Sequence, residues 1–168
     1  EAGISIIFNI SASPWHIGKN KTRFEMLRSI ALKTRRPVVL CNQVGGNDEL
    51  IFDGNSVVFN ANGALIAQGK WFEEDFIVID TDSKTAVQQI ELPAEEAIYK
   101  ALVLGLRDYF YKCGFKSAVL GLSGGIDSAV TASIAVDALG KANVRGLSLP
   151  SQFSSQHSLD DARVLAKN

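Results

Sequence analysis

The sequence predicts an α/β protein made of two successive units. Short apolar runs typical of buried strands alternate with stretches of helical period along the 168 residues. In the second half, a glycine-rich turn at residues 121–128 joins an apolar run to a helical stretch, as in a parallel β-α unit. A polar segment without a clear period separates the halves. We therefore predict domains at residues 1–82 and 94–168, joined by a linker at residues 83–93.

The first unit begins with a strand, a helix and a second strand. Residues 4–10 form an apolar run that predicts a strand buried on both faces, and residues 38–41 predict another buried strand. Between them, residues 20–35 have the period of an amphipathic helix that Pro37 ends. The side chains expected on its buried face are Phe24, Leu27 and Ala31.

A hairpin is predicted after a polar loop. The runs at residues 56–60 and 65–68 flank Ala61-Asn62-Gly63-Ala64, whose asparagine and glycine favour a tight turn. Residues 76–80 are apolar again and are predicted as the last strand of the unit.

The second unit is predicted to start with a long helix. Pro93 suits a first helical turn, the glutamates that follow suit the positive end of the helix dipole, and Gly114 stops the helical period. The positions that recur at helical spacing, and that we expect to face a core, are Ile98, Leu102, Gly105, Tyr109 and Cys113.

Two further strands and two helices complete the second unit. Strands are predicted at residues 117–120 and 144–149, with a helix at residues 129–139 between them, so the strands should be parallel. Ser158, with Asp161 three residues later, resembles a capping box at the start of the last helix.

Composition excludes several classes of protein. The net charge of −1, from 17 basic and 18 acidic residues, gives no reason to expect nucleic acid or a membrane surface as a partner. No apolar run is long enough to span a membrane. The two cysteines, Cys41 and Cys113, are too few for a disulfide framework and indicate a reducing compartment, the cytoplasm. We expect both to be packing residues.

The turn at residues 121–128 predicts an anion site. It opens onto a helix N-terminus, where free N–H groups and the helix dipole favour phosphate. Two serine hydroxyls can donate to phosphate oxygens, and the acidic Asp127 suggests a bridging Mg²⁺. The alternative is a tight connection in which Asp127 and Ser128 only cap the helix. The predicted phosphate-binding residues are Gly121, Leu122, Ser123, Gly124, Gly125, Ile126, Asp127 and Ser128.

The order Ser-Gly-Gly-Ile-Asp-Ser at residues 123–128 resembles the signature of the PP-loop ATP pyrophosphatase family. The turn lacks the lysine of the Walker pattern and has narrower glycine spacing than the dinucleotide fingerprint. The resemblance implies that ATP is a substrate, that it adenylates an oxygen of the second substrate, and that a nucleophile then displaces AMP. Leu149 and Ser154, after the second strand, are further candidates for ATP binding.

Two segments of the first unit resemble nitrilase-type amidases. They are the run Asn-Ile-Ser-Ala-Ser-Pro-Trp-His-Ile-Gly-Lys at residues 9–19 and the run from Gly45 to Ser56. An amidase-like half followed by a PP-loop half is the layout of the glutamine-dependent NAD synthetase family, and residues 149–155 also resemble that family. The resemblance implies the C-terminal part of a nitrilase-like α-β-β-α sandwich, followed by the first part of a Rossmann-like, adenine nucleotide alpha hydrolase-like domain.

The same resemblance implies a glutamine site without its catalytic triad. Ser13 and Lys19 match the positions that bind L-glutamine, with the lysine pairing with the α-carboxylate. The alternative is that Ser13 starts a turn with Pro14 and Lys19 is a solvated charge. The family's Glu-Lys-Cys triad has no match here and would lie upstream of Glu1. We therefore expect an internal fragment that does not hydrolyse glutamine by itself.

The resemblance finally implies an overall reaction. ATP would adenylate deamido-NAD, and ammonia from glutamine would displace AMP to give NAD, in a homo-oligomeric ligase of NAD biosynthesis. Three alternatives stay open at the level of sequence. They are another PP-loop amidotransferase such as a GMP synthetase, a non-catalytic ATP-binding module, and an amidase with a C-terminal extension that does not bind ATP.

Overall fold

The computed structural model describes residues 3–150 and 155–167, which form two units, Glu1–Ala101 and Leu102–Asn168. The division lies within the long helix α2, and the domain boundary predicted at residues 83–93 stays a prediction. In chain order the elements are β1 (Ile7–Ser11), α1 (Lys19–Thr34), β2 (Val38–Asn42), β3 (Val44–Asn47), β4 (Leu50–Asp53), β5 (Val57–Phe59), β6 (Leu65–Gln68), α2 (Ala94–Cys113), β7 (Ala118–Gly121), α3 (Ile126–Leu139), a 3-10 turn (Lys141–Asn143), β8 (Val144–Leu147) and α4 (Gln156–Lys167).

The first unit contains a four-stranded sheet in the order β1-β2-β5-β6. β1 and β2 are parallel, because α1 carries the chain back between them, and the other two pairs are antiparallel. α1 ends at Thr34, and the next residue, Arg35, adopts a left-handed conformation with φ 51° two residues before Pro37. The predicted helix is therefore confirmed to within one residue at each end.

One face of this sheet and α1 enclose the core of the first unit. The aromatic rings of Phe24 and Phe59 meet edge to face with centroids 5.8 Å apart. Full burial of such a side chain contributes about 1.5–3 kcal/mol to the free energy of unfolding. The buried residues of this core are Phe24, Leu27, Ala31, Val38, Leu40, Val57, Phe59 and Leu65.

β1 is buried on one face only, so the prediction of burial on both faces is wrong. Phe8 is 64% exposed and Ile10 is 86% exposed. They lie on the face of the sheet opposite α1, where the described apolar cluster is built around Val58 and Ile66 of β5 and β6. Cys41 pairs with Ile10 in the sheet and is also exposed, so its expected packing role is wrong.

The hairpin of β5 and β6 is confirmed, whereas a second hairpin was not predicted. β3 and β4 pair as antiparallel strands, although the sequence predicts a polar loop for these residues. Gly45 and Gly46 lower the strand propensity of β3. Asp48 takes a φ of 51° in the tight turn, a conformation that aspartate tolerates better than most residues.

The strand predicted at residues 76–80 is wrong, since this segment has no regular secondary structure. Its apolar side chains match a strand pattern, but a strand also needs hydrogen-bonding partners along its backbone. Ile79 packs on the cluster beside β5 and β6, whereas Phe76 and Val78 are exposed.

Residues 83–92 run beside the outer strand β6 without forming a strand themselves. The backbone N–H of Val87 donates to the carbonyl of Leu65 over 2.8 Å. The side chain of Gln68 bonds both the N–H and the carbonyl of Ile90, at 2.8 and 2.9 Å. This segment is therefore attached to the first unit by specific hydrogen bonds.

The predicted span of α2 is confirmed, but its predicted core face is wrong. The buried residues are Ala97, Ala101 and Leu104. The predicted positions Ile98, Leu102, Tyr109 and Cys113 are exposed, and Gly105 is half-buried. α2 carries apolar residues on more than one face, so their period predicts a helix without deciding which face is covered.

The second unit contains two parallel strands, β7 and β8, joined through α3. Both were predicted, but β8 ends at Leu147 and Val119 is exposed, so β7 is not fully buried. A small core contains Leu122 at the end of β7, Ala132 of α3 and Ala162 of α4. In the part of the chain that the structure describes, no helix is both long and apolar enough to cross a membrane.

Candidate functional site

The predicted phosphate-binding turn connects β7 to α3. Gly121 ends β7, Leu122 turns inward into the core, and Gly125 precedes the first residue of α3. At the start of α3, the N–H of Ala129 donates to the carbonyl of Gly125 over 3.2 Å. The N–H groups of the preceding helical residues are therefore available at the positive end of the helix dipole.

The two serine hydroxyls of the turn bond to each other and to the backbone. Ser128 Oγ donates to the carbonyl of Gly125 over 2.9 Å and accepts from the N–H of Ser123 over 3.3 Å. Ser123 Oγ lies 3.2 Å from Ser128 Oγ and accepts from the N–H of Gly125 over 3.2 Å. These bonds hold the turn in shape, and both hydroxyls must rotate before they can donate to a phosphate.

Gly124 brings the turn against the first turn of α4. Its φ of 82° is unfavourable for residues with a side chain. A Cβ atom at this position would lie 2.2 Å from the carbonyl oxygen of Ser158. A residue with a side chain at position 124 would therefore prevent the turn and α4 from lying this close together.

α4 is capped by Ser155, so the predicted capping box of Ser158 and Asp161 is wrong. Ser155 Oγ accepts from the N–H of Ser158 over 3.1 Å, as an N-cap serine does for the third helical residue. Asp161 instead contacts His157 one turn earlier, with Oδ2 3.0 Å from Nδ1. The cap therefore lies three residues before the predicted one, and the helix begins at Gln156.

The remaining predicted ATP-binding residues lie after β8. Leu149 is exposed, two residues beyond the end of the strand. Ser154 lies outside the described residues. Their role in ATP binding stays a prediction.

Asp127 lies exposed in the first turn of α3, on the turn that was predicted to bind phosphate. No group of three or more histidine, cysteine, aspartate or glutamate side chains that could hold a metal occurs among the described residues. Mg²⁺ commonly uses only one or two protein carboxylates and completes its shell with water and substrate phosphates. A single exposed carboxylate beside the predicted phosphate site is compatible with Mg²⁺ bound in this way.

The segment that was predicted to bind glutamine forms a tight connection between β1 and α1. The N–H of Ser13 donates to Asn42 Oδ1 over 3.0 Å, and the N–H of Trp15 donates to the carbonyl of Ile51 over 2.6 Å. Lys19 is the first residue of α1, and its Nζ donates to the carbonyl of Pro14. The ammonium group is therefore held against the backbone of the residue that follows Ser13.

A buried ion pair lies beneath this segment. Arg23 of α1 and Asp53 of β4 are 5% and 0% exposed, and they form two hydrogen bonds of 2.9 and 3.0 Å. Asn42, at the end of β2, donates from Nδ2 to Asp53 Oδ1 over 3.1 Å and to the carbonyl of Gly54 over 3.0 Å. The three side chains connect α1, β2 and β4 next to the segment that contains Ser13.

Sequence patterns do not identify Arg23, Asn42 and Asp53 as a group, although one signal is present. Arg23 lies four residues before Leu27, so helical spacing places it on the buried face of α1. A charged residue on a buried face requires a buried partner. The sequence offers several acidic candidates, and only the fold selects Asp53.

Two family models match the chain in succession. The carbon-nitrogen hydrolase family matches residues 1–91, and the NAD synthase family matches residues 98–168. The predicted fold class is confirmed by these matches and by the parallel strands of the second unit.

Relatives of known name match nearly the whole chain. A glutamine-dependent NAD(+) synthetase of Synechocystis sp. is 45% identical, with 100% of this chain and 31% of the relative covered. One of Thermotoga maritima is 41% identical, with 99% of this chain and 35% of the relative covered. The chain thus spans about a third of the length of these relatives.

Solved structures agree with these relatives. The structure of glutamine-dependent NAD+ synthetase from Acinetobacter baumannii in complex with ADP has a TM-score of 0.87 and 40% identity, with 95% of this chain and 31% of that chain covered. The same fold occurs in a Cytophaga hutchinsonii synthetase, with a TM-score of 0.80 at 21% identity, covering 98% of this chain and 34% of that chain. The chain therefore belongs to the carbon-nitrogen hydrolase family and continues into a segment that matches the NAD synthase family.

Proposed function

We propose that the intact protein converts deamido-NAD to NAD, with ATP as the activating substrate and glutamine as the nitrogen donor. The observation that carries this proposal is the succession of a carbon-nitrogen hydrolase segment and an NAD synthase segment in one chain. The relatives named above are similar along both segments, which argues against a GMP synthetase.

The turn between β7 and α3 is proposed to hold ATP during adenylation. A carboxylate oxygen of deamido-NAD attacks the α-phosphorus, the bond to the bridging oxygen breaks, and pyrophosphate leaves. The free N–H groups at the start of α3 stabilise the charge that develops on pyrophosphate. Ammonia then attacks the activated acyl carbon, AMP leaves, and loss of a proton completes the amide.

The carboxylate of Asp127 is proposed as the protein ligand of Mg²⁺. When bound, the ion neutralises charge on the phosphate oxygens. Asp127→Asn keeps the size of the side chain but removes its charge. We expect NAD formation to fall about tenfold or more at low Mg²⁺ and to recover partly as the Mg²⁺ concentration rises. Undiminished activity at every Mg²⁺ concentration would exclude this role.

The segment that contains Ser13, together with Lys19, is proposed to bind glutamine. A charge-assisted hydrogen bond is worth about 1.5–3 kcal/mol, so Lys19→Ala should raise the KM for glutamine roughly 10- to 100-fold. Ammonia-driven NAD formation should survive, because ammonia does not need this site. Lys21→Ala, which changes an exposed lysine of the same helical turn, is the matched control. Equal loss of both activities would mean that Lys19 acts structurally.

The proposed reaction is tested by supplying deamido-NAD, ATP and either glutamine or ammonia to the intact protein. We expect NAD and AMP to form in equal amounts with both nitrogen sources. AMP release that does not depend on deamido-NAD would point to another PP-loop enzyme. An absence of ATP binding would favour an amidase with an unrelated extension, and ATP binding without turnover would favour a non-catalytic module. The chain by itself is expected not to hydrolyse glutamine.

Compartment and assembly complete the proposal. Cys41 and Cys113 are unpaired, which is usual in the reducing cytoplasm. We propose a cytoplasmic, homo-oligomeric enzyme, an assembly that size-exclusion chromatography with light scattering would test.

A further inference from the structure

We propose that Asn42, with Asp53 and Arg23, is a positioning network that fixes the backbone of Ser13 for glutamine binding. The inference rests on the proposed function, because the network has this role only if the segment that contains Ser13 binds glutamine. Arg23 and Asn42 lie outside the two segments that resemble amidases, and Asp53 lies in the second of them, at residues 45–56.

The hydrogen-bond partners leave the Asn42 amide one orientation. Nδ2 faces two acceptors, Asp53 Oδ1 at 3.1 Å and the carbonyl oxygen of Gly54 at 3.0 Å. Oδ1 faces a donor, the N–H of Ser13 at 3.0 Å. A carboxylate and a carbonyl can only accept, and a backbone N–H can only donate. A rotated amide would therefore lose all three bonds.

The ion pair keeps the network rigid. Arg23 binds both carboxylate oxygens of Asp53, so the carboxylate plane is fixed by a two-point contact. Its position in turn sets the position of the Asn42 amide. Both charged groups are nearly inaccessible to water, so solvent does not weaken this arrangement.

The network reaches the glutamine site through the backbone of Ser13. The bond from Ser13 N to Asn42 Oδ1 joins residues 29 apart in sequence, across the carboxyl ends of the neighbouring strands β1 and β2. Ser13 is followed by Pro14, whose carbonyl accepts from Lys19. A shift of Ser13 would therefore also displace the carbonyl that holds the lysine. Glutamine binding should therefore depend on Asn42, although Asn42 acts on the site only through the backbone of Ser13.

The test measures steady-state NAD formation by the intact protein with Asn42→Asp and Asn42→Ala. Asn42→Asp keeps the shape but removes both N–H donors and places a carboxylate against Asp53. We expect the KM for glutamine to rise about tenfold or more, because Asn42→Asp loses the two bonds that Nδ2 donates and Asn42→Ala loses all three bonds. The kcat at saturating glutamine should stay within about threefold, and the ammonia-driven rate should not change.

A matched control separates positioning from folding. Asn60 is also buried at the end of a strand of the same sheet, and it makes three hydrogen bonds of 3.0 to 3.1 Å within its hairpin and to Ser83. Asn60→Ala should lower the thermal midpoint without raising the KM for glutamine. A KM that rises equally in the Asn60 variant would overturn the proposal.

The other outcomes are decisive as well. A lower kcat at unchanged KM is the result of partial unfolding and would overturn the proposal, as would an unchanged KM and kcat. If both Asn42 variants fail to fold, Asp53→Asn replaces them, because it keeps an acceptor for the Asn42 amide. The KM for glutamine should then rise about threefold. An unchanged KM would overturn the proposal. A wild-type protein that makes NAD from neither glutamine nor ammonia contradicts the proposed function itself, which is a different result.

Discussion

Replacing Gly124 by alanine is expected to reduce ammonia-driven NAD formation at least about 100-fold. The alanine must adopt a φ near 82°, which costs about 1–2 kcal/mol for a residue with a Cβ atom. It must also move the backbone of α4, because its Cβ atom would lie 2.2 Å from the carbonyl oxygen of Ser158. Either the turn or α4 has to leave its position, and the proposed ATP site changes shape. The measurement is the rate of NAD formation across ATP concentrations.

Gly140→Ala is the matched control for this substitution. Gly140 ends α3 with a φ of 84°, but the nearest atom to an added Cβ, Asn143 Nδ2, is 3.9 Å away. This substitution also forces a side chain into a positive φ, but without the clash. We expect this variant to lose about 1–3 kcal/mol of stability and to keep its activity within about threefold. Near-normal activity of Gly124→Ala would mean that α4 does not lie against the turn in the active protein.

Replacing Arg23 by methionine is expected to destabilise the first unit by roughly 3–5 kcal/mol. Asp53 would keep its burial but lose the only positive charge that the structure places in contact with it among the described residues. With a urea dependence of about 1–3 kcal/mol per molar, the unfolding midpoint of this unit should fall by about 1–5 M. Urea unfolding of the intact protein, followed by tryptophan fluorescence, is the measurement.

Two further variants separate the buried charge from the loss of an arginine. Arg28→Met changes an exposed arginine of the same helix and should alter stability by no more than about 0.5 kcal/mol. The double variant Arg23→Met with Asp53→Leu removes both charges and should recover much of the lost stability. A double variant no more stable than Arg23→Met alone would mean that packing, and not charge, explains the loss.

Local patterns in the sequence were sufficient to predict most of the elements. The spacing of Phe24, Leu27 and Ala31 predicts α1 and its buried face, and the turn residues around Gly63 predict the hairpin of β5 and β6. The errors concern what covers each surface. The apolar run that contains Phe8 and Ile10 is typical of a strand buried on both faces, yet α1 covers only the opposite face of the sheet. Burial depends on neighbours distant in sequence, which local composition does not reveal.

The candidate site was predictable to a similar extent. The turn that follows β7 was predicted from its glycines and serines, because its geometry depends on consecutive residues. The bond between Ser13 and Asn42 and the pairing of Arg23 with Asp53 each join residues about 30 apart in sequence. Such pairs become visible only when the topology brings α1, β2 and β4 together.

The segment at residues 83–92 has a consequence for aggregation. The outer edge of β6 would otherwise present backbone N–H and carbonyl groups to which a strand of another molecule could add. The N–H of Val87 occupies the carbonyl of Leu65 on this edge, and the bonds between Ile90 and the Gln68 side chain hold the segment beside the strand. Residues 83–92 therefore also hinder the addition of a strand from another molecule, and an amidase segment cut at residue 82 would lose that protection.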